Sequence, residues 1–212
     1  MSRLPAYERR QQLLSTAATV FAERGYARAT TAELARAAHV TEPIIYRHFK
    51  SKKELFIALI NRTGEETLRL WKQSLHNAPD PAERLRRLIG ANPMVGDRGR
   101  GGYRVIVQAM TEIADGDIRA ALVHHLIALH EFVANEVIRA QDAGFVSKRF
   151  SPQITAWMLL HLGLGYGVLA PLGIPNHARD DAGVRVRDVV EQLVLGDTDR
   201  QRENLRRHET GG

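Results

Sequence analysis

The chain has 212 residues, 44 % of them hydrophobic and 25 % charged, which is the composition of an ordinary globular protein of one or two domains. It contains no cysteine, which excludes a disulfide framework and a thiolate metal site. The net charge of +6 is uneven, because residues 1–53 hold ten basic and four acidic side chains and the rest holds twenty of each. A basic module on a neutral body is typical of a protein that docks on phosphates with one end, although a solvated basic surface gives the same pattern.

The chain begins with a polar segment, Met1–Gln12, which lacks the apolar region of a secretory signal. The longest apolar stretch, Ile154–Leu172, approaches the length of a membrane span, but His161, three glycines and Pro171 interrupt it. We therefore expect a buried helix there and a cytoplasmic protein. We expect no cofactor, because the nine histidines show no metal-binding spacing and no catalytic set of residues stands out.

Helical patterns follow one another along the chain, and no strand pair or repeat stands out, so we predict an all-α fold. The first helix is expected over Pro5–Arg24, and Gly25 ends it as a residue able to take a left-handed conformation at the helix C-terminus. Thr30 and Glu33 have the spacing of a capping box, which opens a second helix that reaches about Ala38.

A three-residue turn, His39–Thr41, precedes a third short helix over Glu42–Phe49. Thr41 can cap this helix, and Pro43 lies in its first turn, where the missing N–H is not needed. Ser51–Glu54 is a second capping box and opens a long helix that ends near residue 75. In the later part of the chain we predict five helices, over Pro79–Ile89, Tyr103–Ala114, Asp117–Ala143, Pro152–Ala170 and Asp181–Leu195. A glycine-rich loop is expected over Asn92–Gly102, and a polar tail over Gly196–Gly212.

Two short helices joined by a three-residue turn form a helix-turn-helix, whose second helix enters the major groove of DNA. Ile45 and Phe49 are apolar and four residues apart, so we expect them to face a small core shared with Phe21, Leu34 and Ala38. The other side chains of the third helix then face outward and are available to DNA.

The outward residues suit a DNA surface. Arg47 can reach O6 and N7 of guanine, and Pro43 and Ile44 can contact a thymine methyl group. Hydroxyl, imidazole and ammonium groups near the helix suit phosphates, which set the register of binding rather than its sequence. The N-terminus of the second helix can bind a further phosphate through its backbone N–H groups. The expected DNA-binding residues are Thr30, Thr31, Thr41, Glu42, Pro43, Ile44, Tyr46, Arg47, His48 and Lys52.

The run Thr30–Ala38, then Val40, then Ile45–Leu55, resembles the DNA-binding signature of the TetR (tetracycline repressor) family in its spacing, its caps and its outward residues. The resemblance includes the first helix, whereas the remaining chain is similar only in its helix layout. It implies that Thr31, Tyr46, His48 and Lys52 contact phosphates, and that Glu42, Pro43, Ile44 and Arg47 lie against bases.

Two residues depart from the family pattern. His39 stands in the turn where the family usually has glycine, and histidine is among the non-glycine residues that tolerate a positive φ. Glu42 is unusual on a surface that faces DNA, where it could accept a hydrogen bond from cytosine N4 or simply repel phosphates.

The resemblance implies three parts in chain order. A three-helix helix-turn-helix domain over residues 1–53 is joined by a long helix to a helical bundle over 54–196, which binds the effector and forms the dimer. A polar tail follows over 197–212. It also implies a homodimeric repressor that an unknown, largely apolar small molecule releases from a palindromic double-stranded DNA operator. The residues expected to line the effector pocket are Tyr103, Gln108, Met110, His125, Trp157 and His161, with ordinary core packing as the alternative for each.

Small residues at helical spacing in the Pro152 helix let another helix approach closely, and with the valines of the last helix they could form a two-fold four-helix interface. A dimer also makes sense because one short recognition helix reads few base pairs. The alternative is packing within the chain. The expected interface residues are Ala156, Leu160, Gly163, Gly167, Val186, Val190 and Leu193.

Two rival functions fit less of the sequence. A sequence-nonspecific architectural protein would bind DNA with an affinity that is insensitive to base sequence. A helical enzyme would need turnover that depends on His125 or His161, and the sequence offers no nucleophile or metal set to support it. We therefore expect that the chain is not an enzyme.

Overall fold

A computed structural model describes residues 4–90, 100–169 and 172–196, with only the backbone described for 100–102. Within these ranges the regular elements are helices, and the all-α prediction is confirmed. The helices are α1 (Ala6–Arg24), α2 (Thr31–Ala37), α3 (Glu42–His48), α4 (Lys52–Leu75), α5 (Pro81–Gly90), α6 (Arg100–Met110), α7 (Gly116–Asp142), α8 (Pro152–Leu169) and α9 (Val186–Leu195).

The predicted boundaries hold to within two residues at most helix ends but fail at three. The helix predicted to reach Ala114 ends at Met110. α6 begins inside the predicted glycine-rich loop, whose residues 92–99 lie outside the described part of the chain, as does the tail from residue 197. The helix predicted from Asp181 begins instead at Val186. The reason is a small hairpin before it, in which Asp180 N–H donates to the Val184 carbonyl at 2.9 Å and Gly183 has a φ of +91°.

The described residues form two compact units, each made of two stretches of sequence. The first unit comprises Met1–Thr67 and Arg98–Ala128, and the second comprises Leu68–Asp97 and Leu129–Gly212. The helices α4 and α7 therefore contribute to both units. The functional division between residues 53 and 54 stays a prediction.

The first unit has an aromatic core at the end of α1. The Phe21 ring meets the Phe56 ring edge-on with centroids 5.2 Å apart, and Tyr26 stacks on Phe56 at 4.2 Å. Gly25, which ends α1 as predicted, has a φ of 80°. Gln108 of α6 donates its side-chain N–H to the Phe21 carbonyl at 2.7 Å, so α6 is tied to the end of the first helix.

The second unit is built around a largely buried ion pair. Arg84 of α5 makes two hydrogen bonds to the Glu136 carboxylate of α7, at 2.6 and 2.8 Å, and a third to the Leu75 carbonyl at 2.9 Å. Such bidentate geometry satisfies a charge that burial would otherwise destabilise. Arg86 pairs with Glu191 at 2.8 Å, which links α5 to α9. None of the helices in the described ranges is long and apolar enough to cross a membrane.

Candidate nucleic-acid interface

The start of α2 is fixed by the capping box that the sequence predicts. The Thr30 hydroxyl accepts from Glu33 N–H at 3.2 Å, and the Glu33 carboxylate accepts from Thr30 N–H at 3.0 Å. The hydrogen bond from the Thr30 backbone is the largest of several effects that lower the pKa of the Glu33 carboxyl. Both groups satisfy N–H donors at a helix end, so the position of α2 is set locally.

The turn between α2 and α3 depends on His39, which has a φ of 53°. Its N–H donates to the Arg36 carbonyl at 3.1 Å, and Val40 N–H donates to the Ala35 carbonyl at 2.9 Å. These bonds occupy carbonyls that the end of α2 leaves free. The prediction that a histidine can take the positive φ of this turn is confirmed.

Thr41 does not cap α3 through its side chain, contrary to expectation. A capping side-chain oxygen accepts from the backbone N–H of the second or third residue of a helix. The second residue of α3 is Pro43, which has no N–H. The third belongs to Ile44, whose N–H donates to the Thr41 backbone carbonyl at 2.9 Å. The Thr41 hydroxyl, which is exposed, is left for an outside partner.

The inward face of α3 is the one that the spacing predicts. Ile45 and Phe49 are each 1 % exposed and share the buried core with Phe21. Arg10 of α1 lies over the Phe49 ring, 4.1 Å from its centroid, and donates to the His48 carbonyl at 2.6 Å. The role of Arg10 in holding the end of α3 was not predicted from the sequence, because the two residues are 38 positions apart.

The outward face of α3 is open. Tyr46 is 49 % exposed, and Pro43 and Arg47 are also exposed, while Ile44 and His48 are half-buried. A concavity of about 530 Å³ lies between the start of α1 and α3 and is lined in part by Arg9, Ile44, Arg47 and His48. Arg47 makes no hydrogen bond or ion pair with the described residues, so its guanidinium is available to a ligand.

A polar cluster joins α2 to α3 across this surface. The Thr31 hydroxyl donates to the Glu42 carboxylate at 2.7 Å and lies 3.3 Å from the Tyr46 hydroxyl. The carboxylate of Glu42 therefore has a partner within the chain, which explains how an acidic residue is held at the start of α3. All three residues are expected DNA contacts, and the structure brings them together.

Lys52, at the start of α4, is already well supplied with acceptors. Its ammonium donates to the carbonyls of Tyr26 and Ala29, each at 2.9 Å, and lies 4.6 Å from the centre of the Tyr26 ring. These bonds hold the segment between α1 and α2. The predicted second capping box is formed in part: the Ser51 hydroxyl accepts from Glu54 N–H at 3.0 Å, whereas the Glu54 carboxylate accepts from Lys50 N–H at 2.7 Å.

The pKa of His48 is lowered from its ordinary value of 6.5. Partial burial is the largest cause, followed by the positive charges of Arg10, Arg47 and Arg9. The imidazole is therefore less protonated near neutral pH than an ordinary histidine, and it lies among cations whose charge an anion could offset.

The residues expected to line an effector pocket fall into the two different units. In the first unit, the ring centroids of Tyr103 and His125 lie 6.3 Å apart. Gln108 and the half-buried Met110 lie further along α6. In the second, Trp157 stacks on His161 with centroids 6.0 Å apart, on a part of α8 where His161 is exposed.

His125 and Tyr103 are buried polar groups in need of partners. They are 2 % and 4 % exposed, and neither the imidazole nitrogens nor the phenol oxygen has a hydrogen bond of good geometry within the described chain. Thr67, which lies near the phenol, donates its own hydroxyl to the Thr63 carbonyl at 2.8 Å. Burial lowers the pKa of His125 to about 4 and raises the pKa of Tyr103.

The residues expected at a dimer interface are divided between core and surface. Ala156, Leu160 and Gly163 are buried within the second unit, as the alternative of packing within the chain predicts, and Val190 is buried as well. Gly167 is half-buried, and Val186 and Leu193 are 43 % and 77 % exposed.

The helix-turn-helix just described coincides with a known family signature. Residues 13–59 match the model of the family described as bacterial regulatory proteins, tetR family. Residues 13–59 of this chain therefore carry the DNA-binding segment that defines this family. The match runs from α1 to the beginning of α4, and it confirms the resemblance found in the sequence. This is a family of transcriptional regulators rather than of enzymes.

Curated proteins similar to this chain differ in how much of it they match. It is 38 % identical over 107 residues to the HTH-type transcriptional activator FasR of Mycolicibacterium smegmatis (strain ATCC 700084 / mc(2)155), covering 50 % of this chain and 49 % of FasR. It is 25 % identical over 172 residues to the HTH-type transcriptional regulator UidR of Escherichia coli (strain K12), covering 81 % and 85 %. The chain thus matches only about half the length of FasR.

Solved structures share the fold over most of the chain. A TetR-family transcriptional regulator from Rhodococcus sp. has a TM-score of 0.73 at 22 % identity, covering 89 % of this chain and 99 % of that one. A transcriptional regulator from Saccharomonospora viridis in complex with choline has a TM-score of 0.74 at 23 % identity, covering 88 % and 93 %. At these identities the likeness is one of fold.

Proposed function

We propose that the chain is a sequence-specific DNA-binding regulator, a homodimer that represses from a palindromic operator until a small molecule binds. Residues 1–53 would bind DNA, and residues 54–196 would bind the effector and form the dimer. The observation that carries the proposal is the free guanidinium of Arg47 on the open face of α3, in a segment with ten basic and four acidic residues.

In this proposal the face of α3 reads bases while its borders hold phosphates. Arg47 donates two hydrogen bonds to guanine, and Pro43 and Ile44 contact a thymine methyl group. Tyr46, His48 and the free N–H groups at the start of α2 position the helix on the backbone. Lys52 contributes through its charge, because its ammonium already binds carbonyls of the protein.

The dimer is supported by an apolar face that the described chain leaves uncovered. On α8, Ile154, Met158 and Leu162 are 63 %, 40 % and 43 % exposed and follow one another at four-residue spacing. On α9, Val189 and Leu193 are 46 % and 77 % exposed. A second copy that covers this face would form the two-fold four-helix interface and place two recognition helices about 34–36 Å apart.

The effector site is supported by the buried polar pair of Tyr103 and His125. Buried hydroxyl and imidazole groups without partners are costly, and a ligand that bonds them would relieve that cost. Because α6 carries Tyr103 and also bonds the end of α1 through Gln108, a ligand that shifts α6 would change the population of the DNA-binding state.

The experiment that tests the proposal is selection of binding sites from a random DNA pool at near-physiological salt, read by sequencing. The proposal expects an enriched inverted repeat with half-sites one helical turn, or a multiple of it, apart. Binding without enrichment would favour the architectural alternative. Because FasR is named as an activator, a reporter placed beside the enriched site would then show whether transcription falls or rises when the protein is present.

A further inference from the structure

The second unit contains a groove bordered by the end of α5, the middle of α8 and the hairpin that leads into α9. Its volume is about 390 Å³, which is within the range of about 300–1,000 Å³ that small-molecule sites occupy. Leu88 and Val190, both buried, and Leu159 give it an apolar lining. We call it the α5–α8–α9 groove.

Among the residues that the structure describes, three arginines and no acidic residue line this groove: Arg179, Arg185 and Arg187. Arg187 pairs with Asp188 at 3.2 Å, whereas Arg179 and Arg185 make no ion pair with the described residues. Nearby carboxylates are engaged elsewhere, since Glu191 pairs with Arg86 and the Asp188 carboxylate accepts from Arg185 N–H at 3.0 Å. The groove therefore has a surplus of positive charge beside an apolar surface.

The hairpin holds two of these arginines side by side. Arg179 and Arg185 face each other across a single antiparallel bridge, and Val186 N–H donates to the Ala178 carbonyl at 3.1 Å. The Asp180 carboxylate accepts from Val184 N–H at 2.8 Å, so it closes the hairpin instead of pairing with an arginine. A Cβ at Gly183 would lie 2.9 Å from Nη2 of Arg179, so a glycine there leaves room for the guanidinium.

We propose that the α5–α8–α9 groove binds an organic anion with an apolar body. The carboxylate or phosphate would lie between Arg179 and Arg185, whose planar guanidinium groups suit such anions bidentately, and the hydrocarbon would lie against Leu88 and Leu159. This site is separate from the buried Tyr103–His125 pair, and binding to it does not depend on whether the chain represses transcription. Leu162 and Val186, which also line the groove, lie on the α8 and α9 faces where the proposed dimer would form, so the proposal requires that the groove stay open beside that interface.

The test is calorimetric titration of the full chain with octanoate, below its micelle concentration. We expect saturable binding, and we expect the double variant Arg179→Gln/Arg185→Gln to weaken it by about tenfold or more. The matched control is Arg139→Gln, which removes an exposed arginine of α7 outside the groove and should leave binding unchanged. Octyl phosphate in place of octanoate distinguishes the two head groups.

Two further ligands separate the parts of the proposal. Acetate has the head group without the apolar body, and octyltrimethylammonium has the body with the opposite charge; both should bind at least about tenfold more weakly than octanoate. Equal binding of the cation would overturn the proposal, because the arginines would then play no part.

A second variant fills the groove without removing a charge. Gly90 ends α5 and lines the groove, and the nearest atom to a Cβ there is Nη1 of Arg187 at 3.8 Å, so Gly90→Leu can be accommodated. We expect this variant to keep its thermal unfolding midpoint and lose octanoate binding. Unchanged binding in both groove variants would overturn the proposal. The proposal would also be overturned if octanoate did not bind and the arginine variant changed its oligomeric state. That result would show that the groove is an interface between copies.

Discussion

Gly64 of α4 leaves room for the imidazole of His125 in α7, because a Cβ at residue 64 would lie 2.5 Å from Nδ1 of His125. The imidazole is 2 % exposed, so a residue added beside it meets a buried ring. The glycine is therefore explained by a close approach of two helices within the first unit, and not by an unusual backbone conformation.

We predict that Gly64→Ala lowers the free energy of unfolding by about 1–3 kcal/mol, since the added methyl group must displace a buried ring. The same substitution in a His125→Ala background should instead stabilise the protein by about 0.5–1 kcal/mol, as alanine does in a helix interior. Chemical denaturation of the four proteins of this cycle measures both values. A Gly64→Ala effect of the same sign in both backgrounds would contradict the contact.

A second prediction follows from the pKa of His125 and concerns how the free energy of unfolding changes in acid. The folded-state pKa of about 4 lies below the ordinary value of 6.5, so above pH 6.5 the ring is neutral in both states and has no effect. As the pH falls from 6.5 to 4, protons bind the unfolded chain first, and the free energy of unfolding drops by on the order of 3 kcal/mol. His125→Leu should remove this part of the pH dependence.

The comparison with His125→Leu isolates the imidazole, because the carboxylates titrate equally in both proteins. Near neutral pH the leucine variant should be at least as stable as the wild type, since both ring nitrogens are buried with no partner in the described structure. Denaturant midpoints measured across this pH range give the result. Parallel curves for the two proteins would refute the assignment.

The local features of the helix-turn-helix were predictable from the sequence. The Thr30 capping box and the inward Ile45 and Phe49 depend on spacings of three and four residues, which one helix fixes by itself. The positive φ of His39 was predictable from the resemblance, because the family usually has glycine at this position and histidine tolerates a positive φ.

Features that depend on distant residues were not predictable in this way. Lys52 binds carbonyls more than twenty residues earlier, and the Thr31 hydroxyl reaches Glu42 eleven residues away. The start of α9 was misplaced because Asp180 and Gly183 close a hairpin whose side-chain bond no helical periodicity reveals. The buried face of α8 was hard to choose because the helix is apolar on nearly every side.

A third prediction concerns the pH dependence of DNA binding. Partial burial and three arginines hold the pKa of His48 below 6.5 in the free protein, and a phosphate beside the ring would offset those charges and raise it. DNA binding should then take up a proton, and affinity should rise as the pH falls. We expect a steeper rise between about pH 8 and 5 for the wild type than for His48→Gln, measured by fluorescence anisotropy at constant salt. Equal slopes would place His48 away from the phosphates.

A fourth prediction concerns Glu42. Its carboxylate accepts from the Thr31 hydroxyl at 2.7 Å, and it lies on the surface that would face DNA. Glu42→Gln keeps a side-chain oxygen for that hydrogen bond but removes a negative charge that repels phosphates. We expect tighter binding to all DNA sequences, by an amount that shrinks as salt rises. A loss of affinity confined to sites that carry cytosine at one position would show instead that Glu42 reads that base.

A fifth prediction distinguishes a base-reading protein from an architectural one at Arg47. Arg47→Ala should cost about 1–3 kcal/mol of discrimination at one base pair of each half-site, because a bidentate contact to guanine is lost. Arg47→Lys keeps the charge but loses the planar pair of donors, so it should relax sequence preference while retaining more of the salt-dependent affinity. Affinities for the selected operator and for singly substituted operators, measured at two salt concentrations, give both quantities. If both variants weaken all operators equally, Arg47 contacts phosphate, and the preference for sequence must come from other residues of α3 or from the shape of the DNA.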